Sequence, residues 1–147
     1  MVGFGVELSS AEAVLEATEI RQVASFADGF FGDGVLAAGG DLGTTVAVRG
    51  CRIADAARAS LANFGAHAIV QTTAFECAPI HLNGEVFDDQ PYFFDNEGGN
   101  SCGCGEDQHG CKALSSSLEP PGPAIGGGPG EGEPPPDTFD ELGPAEP

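Results

Sequence analysis

The sequence predicts a small single domain of the α+β class, and three patterns support this fold class. A helix-start signal precedes an apolar stripe near residue 9, strand-like and helix-like patterns alternate after residue 44, and an Asn-Gly pair lies at 83–84. We therefore expect two helices, a short mixed or antiparallel sheet, and an extended Gly/Pro-rich acidic C-terminal arm.

The first predicted helix follows Ser9, which is a suitable N-cap residue. Glu12 stands three residues later and completes a capping box. The expected apolar face is spaced four and three residues apart and consists of Ala13, Ala17, Ile20, Ala24 and Ala27. Gly29 is a natural end for this helix, and the glycine-rich stretch after it predicts a loop.

A strand, a second helix and another strand are expected in the middle of the chain. The stretch "TTVAVR" has alternating valines, "IADAARASLANF" places Ile53, Ala57, Leu61 and Phe64 on one helical face, and "HAIVQTTAFE" is rich in β-formers. The connection is long enough for a parallel crossover, and an antiparallel return is also open. In "IHLNGEVF", Asn83 and Gly84 predict a hairpin turn. No internal repeat is evident.

Composition divides the chain into a compact domain and a tail. Residues 1–115 contain the predicted elements and a Cys-rich loop at 100–112, whereas residues 116–147 are dominated by Pro, Gly and acids. Such a segment buries too little apolar surface to fold alone. We therefore expect an extended acidic tail beyond residue 115.

The charge balance excludes some classes of partner. Lys and Arg number 5 against 23 Asp and Glu, which gives a formal net charge of −18. Such a chain repels phosphate backbones and anionic membrane surfaces, so neither nucleic acid nor a membrane is an expected partner. No stretch approaches the roughly 20 apolar residues of a spanning helix, and the N-terminal stretch lacks the basic region of a secretion signal. A soluble protein is expected.

The loop "NSCGCGEDQHGCK" is the main candidate for site chemistry. Cys102, Cys104, His109 and Cys111 could bind a tetrahedral structural zinc, which is the possible cofactor. The competing hypothesis pairs members of this cluster in disulfides, with Cys51 and Cys77 as further partners. Because five cysteines is an odd number, one thiol would stay free or pair between chains.

Catalysis is not expected from this sequence. A cysteine nucleophile needs a base within reach, and His67 or His81 could serve Cys51 or Cys77 only if the fold placed them together. Nothing in the sequence does so. We therefore predict that the protein is not an enzyme and name no catalytic residues.

The leading hypothesis is a nonenzymatic structural or interaction protein. It would decorate, link or connect the subunits of a large assembly, such as a virus or phage particle, with cysteines as disulfide fasteners. Its partners would be other protein subunits in a homo- or hetero-oligomer, assembled in the cytoplasm, with an extracellular particle as one destination. The expected contact residues are Phe30, Phe31, Phe93, Phe94, Phe139 and Leu142. The alternative is a soluble zinc-stabilised adaptor whose acidic tail motif recruits a basic partner.

Overall fold

The computed structural model describes residues 2–121, and within that range it contains β-strands and no helix. The strands are β1 (Phe4–Ser9), β2 (Glu12–Glu16), β3 (Glu19–Val23), β4 (Asp33–Ala38), β5 (Thr45–Arg49), β6 (Arg52–Ala56), β7 (Ala59–Phe64), β8 (His67–Gln71), β9 (Ala74–Glu76), β10 (Ile80–Glu85), β11 (Phe93–Asn96), β12 (Ser101–Cys104), β13 (Asp107–His109) and β14 (Ala113–Leu114). The same residues offer no helix long and apolar enough to cross a membrane.

The strands form three sheets whose strand order shows that the chain winds as a parallel β-helix. Sheet 1 has the order β1-β4-β7-β10-β14, sheet 2 has β11-β8-β5-β2, and sheet 3 has β13-β12-β9-β6-β3. All neighbouring strands are parallel except β12 and β13. Successive strands contribute to the three sheets in turn. Four coils result: coil 1 (β1–β3), coil 2 (β4–β6), coil 3 (β7–β9) and coil 4 (β10–β12).

The core consists of columns of apolar side chains that stack from coil to coil. In sheet 3 the registered column is Ile20, Ile53, Phe75 and Cys102. In sheet 1 the corresponding column is Val35, Leu61, Leu82 and Ala113. All of these side chains are buried except the partly buried Ala113. Since inward and outward residues alternate along each strand, this stacking fixes the register of every coil.

The corner between sheets 2 and 3 repeats in every coil. Ala17, Gly50, Thr72 and Gly99 each adopt the left-handed backbone conformation there, with φ of 47°, 61°, 47° and 76°. Their backbones stack as well, because the Ala17 N–H donates to the Arg49 carbonyl at 3.0 Å and the Gly50 N–H donates to the Gln71 carbonyl, also at 3.0 Å. This turn directs the chain from one sheet to the next.

The α+β prediction is wrong, because strands occupy both predicted helices. The first predicted helix contains β2 and β3, where Ala13 and Leu15 face inward while Glu12, Val14 and Glu16 are exposed. This two-residue period prevails because β5 supplies a parallel ladder along β2. The second predicted helix contains β6 and β7, which are separated by a corner. The parallel relation considered for "TTVAVR" and "HAIVQ" is present, since β5 pairs with β8.

The predicted hairpin at Asn83–Gly84 is also wrong. Both residues lie inside β10, which runs parallel to β7. The side chain of Asn83 is fully buried, and its Oδ1 accepts a hydrogen bond from the Ser116 N–H at 2.9 Å. A Cβ atom at position 84 would overlap the ring of Tyr92, so glycine is needed here for packing and not for a turn. The coils also form the structural repeat that the sequence did not reveal.

The described part of the predicted tail lies against the domain. Ser116 and Leu118 donate backbone hydrogen bonds to Glu85 at 3.1 Å and 3.0 Å, and Leu118 packs onto the apolar cluster on the outer side of sheet 1. The carbonyl of Glu119 accepts a hydrogen bond from Arg58 at 3.0 Å. Residues 116–121 therefore form a strap over sheet 1.

Candidate functional site

The C-terminal end of the β-helix is covered by its own chain in sheets 1 and 3, while within residues 2–121 no strand pairs with the outer edge of β11 in sheet 2. After coil 4 the chain turns back, and β13 pairs antiparallel with β12 through Cys102–His109 and Cys104–Asp107 partners. The short strand β14 then pairs with β10 and ends sheet 1. We call residues 101–114 the cap. It covers the strand edges of sheets 1 and 3 at this end.

Two disulfides fasten the cap. Cys102 pairs with Cys111, nine residues away, and Cys104 pairs with Cys77, 27 residues away. Cys102 is fully buried and ends the core column of sheet 3, whereas Cys104, at the end of the same strand, is exposed. The Cys102–Cys111 bond therefore ties the returning segment to β12, and the Cys77–Cys104 bond ties β12 to the residue that follows β9.

The disulfides bear on the zinc hypothesis. The sulfurs of Cys102, Cys104 and Cys111 are all engaged in disulfides. Nδ1 of His109 lies 3.0 Å from the Gly110 carbonyl oxygen. Residues 2–121 contain no group of three or more side chains placed to hold a metal ion. A zinc site stays a prediction that would require both disulfides to open.

The remaining cysteine, Cys51, is a buried free thiol at the repeated corner. Its Sγ lies 3.3 Å from the carbonyl oxygens of Leu15 and Arg49, and its N–H donates to Thr73 Oγ1 at 3.3 Å. The thiol thus fills the position that small polar residues occupy in other coils. The structure does not pair Cys51 with the Cys-rich loop, although Cys77 does pair with it.

Two of the three histidines pack against each other, and the third lies in another sheet. Nε2 of His67 is 2.7 Å from Asp95 Oδ2 on the exposed face of sheet 2. The rings of His81 and His109 pack edge to face, with centroids 5.7 Å apart. Burial and the adjacent His109 lower the pKa of His81. The cysteine considered with His81 as a nucleophile, Cys77, is in a disulfide.

Sequence reasoning missed a buried ion pair that anchors the corner between sheets 3 and 1. Arg58 donates to both carboxylate oxygens of Asp33, from Nε at 2.9 Å and from Nη2 at 2.6 Å. Burial raises the pKa of Asp33 although Arg58 and the Ala59 N–H oppose this shift. The guanidinium of Arg58 also stacks 4.9 Å from the centroid of the Phe31 ring. The pair holds the loop before coil 2 against coil 3.

The N-terminal end is different, because within residues 2–121 no strand pairs with the outer edges of β1, β2 and β3. In a parallel ladder the N–H and C=O of one residue face one neighbour, and those of the next residue face the other side. The Gly3 carbonyl accepts hydrogen bonds from the N–H groups of Gly32 and Asp33, at 2.8 Å and 3.1 Å. Because the Gly3 carbonyl faces coil 2, the odd-numbered residues of β1 do so as well. The even-numbered residues, including Val6, therefore direct their N–H and C=O groups away from coil 2.

The same reasoning applies to β2. The Ala11 carbonyl accepts from the Thr45 N–H at 2.9 Å, and the Ala17 N–H donates to coil 2. Glu12, Val14 and Glu16 therefore direct their N–H and C=O groups toward the open side. We call the outer edges of β1, β2 and β3 the open end. Its unpaired backbone groups are a template for another strand.

Apolar side chains lie exposed beside the open end. Val14 is 60% exposed and Val2 is 59% exposed. Phe26 and Phe30 are also exposed, at 40% and 48%, in the loop that leaves coil 1. Phe26 packs edge to face on Phe4 of β1, with ring centroids 6.1 Å apart. The open end thus combines free hydrogen-bonding groups with apolar surface.

The predicted contact phenylalanines are divided between surface and core. Phe30 and Phe93 are exposed, at 48% and 58%. Phe31 is half-buried beneath Arg58, and Phe94 packs against the main core. Phe30 and Phe31 lie in the loop that leaves coil 1, and Phe31 packs on Phe4 of β1 with ring centroids 5.1 Å apart, whereas Phe93 lies on the outer face of sheet 2 in coil 4. The two predicted tail contacts, Phe139 and Leu142, lie outside the described residues.

Comparison of the chain with protein-family models, with curated proteins and with solved structures finds no match in any of the three. The geometry of the two ends is therefore the basis for a functional proposal.

Proposed function

We propose that this protein is a nonenzymatic structural module that joins a larger protein assembly through the open end of its β-helix. The cap terminates the solenoid at the other end. In this role the protein is a terminal or linking subunit, and its partner adds a β-strand to the edge of coil 1. The disulfides act as fasteners of the cap.

The observation that carries this proposal is the difference between the two ends. At the C-terminal end, β13 and β14 pair with β12 and β10, and two disulfides tie β12 down, so that within residues 2–121 only β11 of the three coil 4 strands has an unpaired outer edge. At the N-terminal end, β1, β2 and β3 have unpaired edges beside exposed Val14 and Phe30. Solenoids require polar capping to stay soluble, and an exposed edge is otherwise a site of aggregation. An edge left open beside apolar side chains therefore favours a binding role.

The disulfides support an assembly that works in an oxidising setting. Disulfides persist in extracellular and other oxidising compartments and are rare where thiols are kept reduced. The Cys77–Cys104 bond lies at the surface on the Cys104 side, since Cys104 is exposed. Its fastening effect would be lost in a reducing compartment.

The proposal is tested by blocking the open edge without disturbing the fold. Val14 is suitable because its N–H points outward and its side chain is exposed. Val14→Pro removes one outward donor and adds a ring that obstructs strand pairing, whereas Val14→Thr keeps the donor and the β-branched shape. Each variant would carry a C-terminal affinity tag, be expressed in the source cells, and be isolated without reductant for native mass spectrometry.

We expect the wild type and Val14→Thr to be recovered in a complex of fixed stoichiometry, and Val14→Pro to be recovered as a monomer. Circular dichroism and a melting curve establish that Val14→Pro is folded. A wild type that is isolated only as a monomer contradicts the proposal, as does a folded Val14→Pro protein that assembles normally.

A further inference from the structure

We propose that the strand accepted by the open end carries Lys or Arg at alternate positions, so that its cations lie beside Glu12 and Glu16 of β2. This inference rests on the docking function proposed above and specifies the chemistry of the partner. It follows from three features of the chain: where its acids lie, how its few cations are used, and how charges are paired between coils.

The strands of coil 1 are acidic. Glu7 lies in β1, Glu12 and Glu16 lie in β2, and Glu19 lies in β3, against one basic residue, Arg21. Within residues 2–121, Glu7, Glu12 and Glu16 take part in no ion pair, since none of the salt bridges there includes them. The salt bridges are Arg21–Glu19, Arg49–Glu97, Arg52–Glu19, Arg52–Glu76, Arg58–Asp33 and His67–Asp95. Burial also raises the pKa of Glu7, because no nearby cation opposes the loss of hydration.

The chain has no cations of its own to spare for these acids. Its five basic residues are the four arginines that form those pairs and Lys112, which lies next to Cys111 within the cap. Across the ladders to coil 2, Glu7 faces Leu36 and Glu12 faces Thr45, and Arg49 opposite Glu16 pairs instead with Glu97 at 3.9 Å. Further cations for these acids would therefore come from a partner.

The β-helix shows how such a partner would be placed. Where coil 1 meets coil 2, Glu19 is in register with Arg52, and their side chains form an ion pair of 2.6 Å. Glu16 is likewise in register with Arg49. Neighbouring strands lie about 4.8 Å apart on either side, so a strand added outside β2 is as close to Glu12 and Glu16 as β5 is. Basic residues at alternate positions of that strand would face the two glutamates, which are four residues apart.

The same arrangement disfavours a second copy of the chain as the partner. Pairing of two open ends would bring the glutamates of one coil 1 against those of the other, and like charges directly opposite each other destabilise a sheet. The net charge of −18 adds repulsion between whole molecules. A basic, strand-forming segment avoids both costs.

The test uses three synthetic peptides of nine residues in which Val or Thr alternates with Lys, Gln or Glu. Binding to the intact oxidised protein is measured by fluorescence anisotropy at low and at high salt, and the site is mapped by amide chemical shifts. We expect the Lys peptide to bind about tenfold more tightly than the Gln peptide, from two cross-strand ion pairs, with the Glu peptide weakest. The preference should shrink at high salt, and the shifts should be confined to coil 1.

A charge-reversed protein, Glu12→Lys with Glu16→Lys, supplies the matched control. Both side chains are exposed, so the fold should tolerate the change, and the Glu peptide should then bind more tightly than the Lys peptide. Equal binding of the Lys and Gln peptides at the open end overturns the basic chemistry and leaves strand docking intact. The inference is also overturned if no peptide binds, or if the amide chemical shifts that change lie outside coil 1. The docking function itself is decided separately, by whether Val14→Pro assembles.

Discussion

Removal of the Cys77–Cys104 disulfide tests how strongly the cap stabilises the β-helix. The perturbation replaces both residues, Cys77→Ala with Cys104→Ala, so that no new free thiol can exchange with Cys102 or Cys111. Both sulfurs lie away from the core column, and Cys104 is exposed. The change therefore removes the cross-link and creates little new cavity.

The expected loss follows from the length of the loop that the bond closes. The two residues are 27 positions apart. The chain-entropy relation gives about 3.6 kcal/mol for a loop of this length at 25 °C. For a chain of this size that loss lowers the melting temperature by about 10–15 °C.

Urea unfolding of the wild type and the double variant, both under oxidising conditions, measures the difference in free energy of unfolding. Cys51→Ala is the matched control, because it removes a cysteine that forms no disulfide, and it should cost about 1 kcal/mol from lost packing. The reasoning is refuted if the double variant is within about 1 kcal/mol of the wild type, or if Cys51→Ala costs as much as the double change.

Three further predictions follow from individual residues. Gly84→Ala should lower the free energy of unfolding in urea by about 1–3 kcal/mol, because the new Cβ meets the ring of Tyr92. Gly110→Ala, which has open space around it, should leave that free energy unchanged. Equal costs for the two variants would contradict the packing. Thr72→Gly should raise the melting temperature, because a β-branched residue is strained in the left-handed conformation at φ 47°. An unchanged melting temperature would contradict that strain. Burial of Glu85 acts to raise its pKa, but hydrogen bonds from Leu118, Asn83, Ser115 and Ser116 lower it overall. The resulting contribution to stability is present above the unfolded pKa of Glu85 and lost on acidification. The protection factors of the strap amides, which correct for the slower intrinsic exchange in acid, should therefore fall as the pH falls through that range, and Glu85→Gln should remove the dependence.

Part of this structure could be predicted from the sequence. The alternating valines of "TTVAVR" and the β-formers of "HAIVQ" predict strands, and both strands are present. Disulfide pairing is one of the two hypotheses for the Cys-rich loop, with Cys77 among the candidate partners, and the structure contains that pairing. These features depend on local composition, which one sequence displays directly.

The β-helix itself could not be predicted in this way, for two physical reasons. The corner residues Ala17, Gly50, Thr72 and Gly99 are 33, 22 and 27 positions apart, so insertions hide the repeat. Two of them are not glycine, and only the stacked coils hold Ala and Thr in the left-handed conformation.

The error in the first predicted helix has a related cause. Alanines that fit a helical stripe also fit a narrow solenoid, where the ladder to β5 decides the outcome. The open end was missed as well, because it depends on which strands lie next to each other.

Hydrogen exchange at single amides of the isolated, oxidised protein tests the central claim most directly. The account predicts that the outward amides of Val6 and Val14 exchange almost as fast as in an unfolded chain. The amide of Cys77 donates to the Gly103 carbonyl at 2.9 Å, and it should be strongly protected until the disulfides are reduced. Strong protection of Val6 and Val14 in the isolated protein would show that the edge is already covered, and it would contradict an open end that receives a partner.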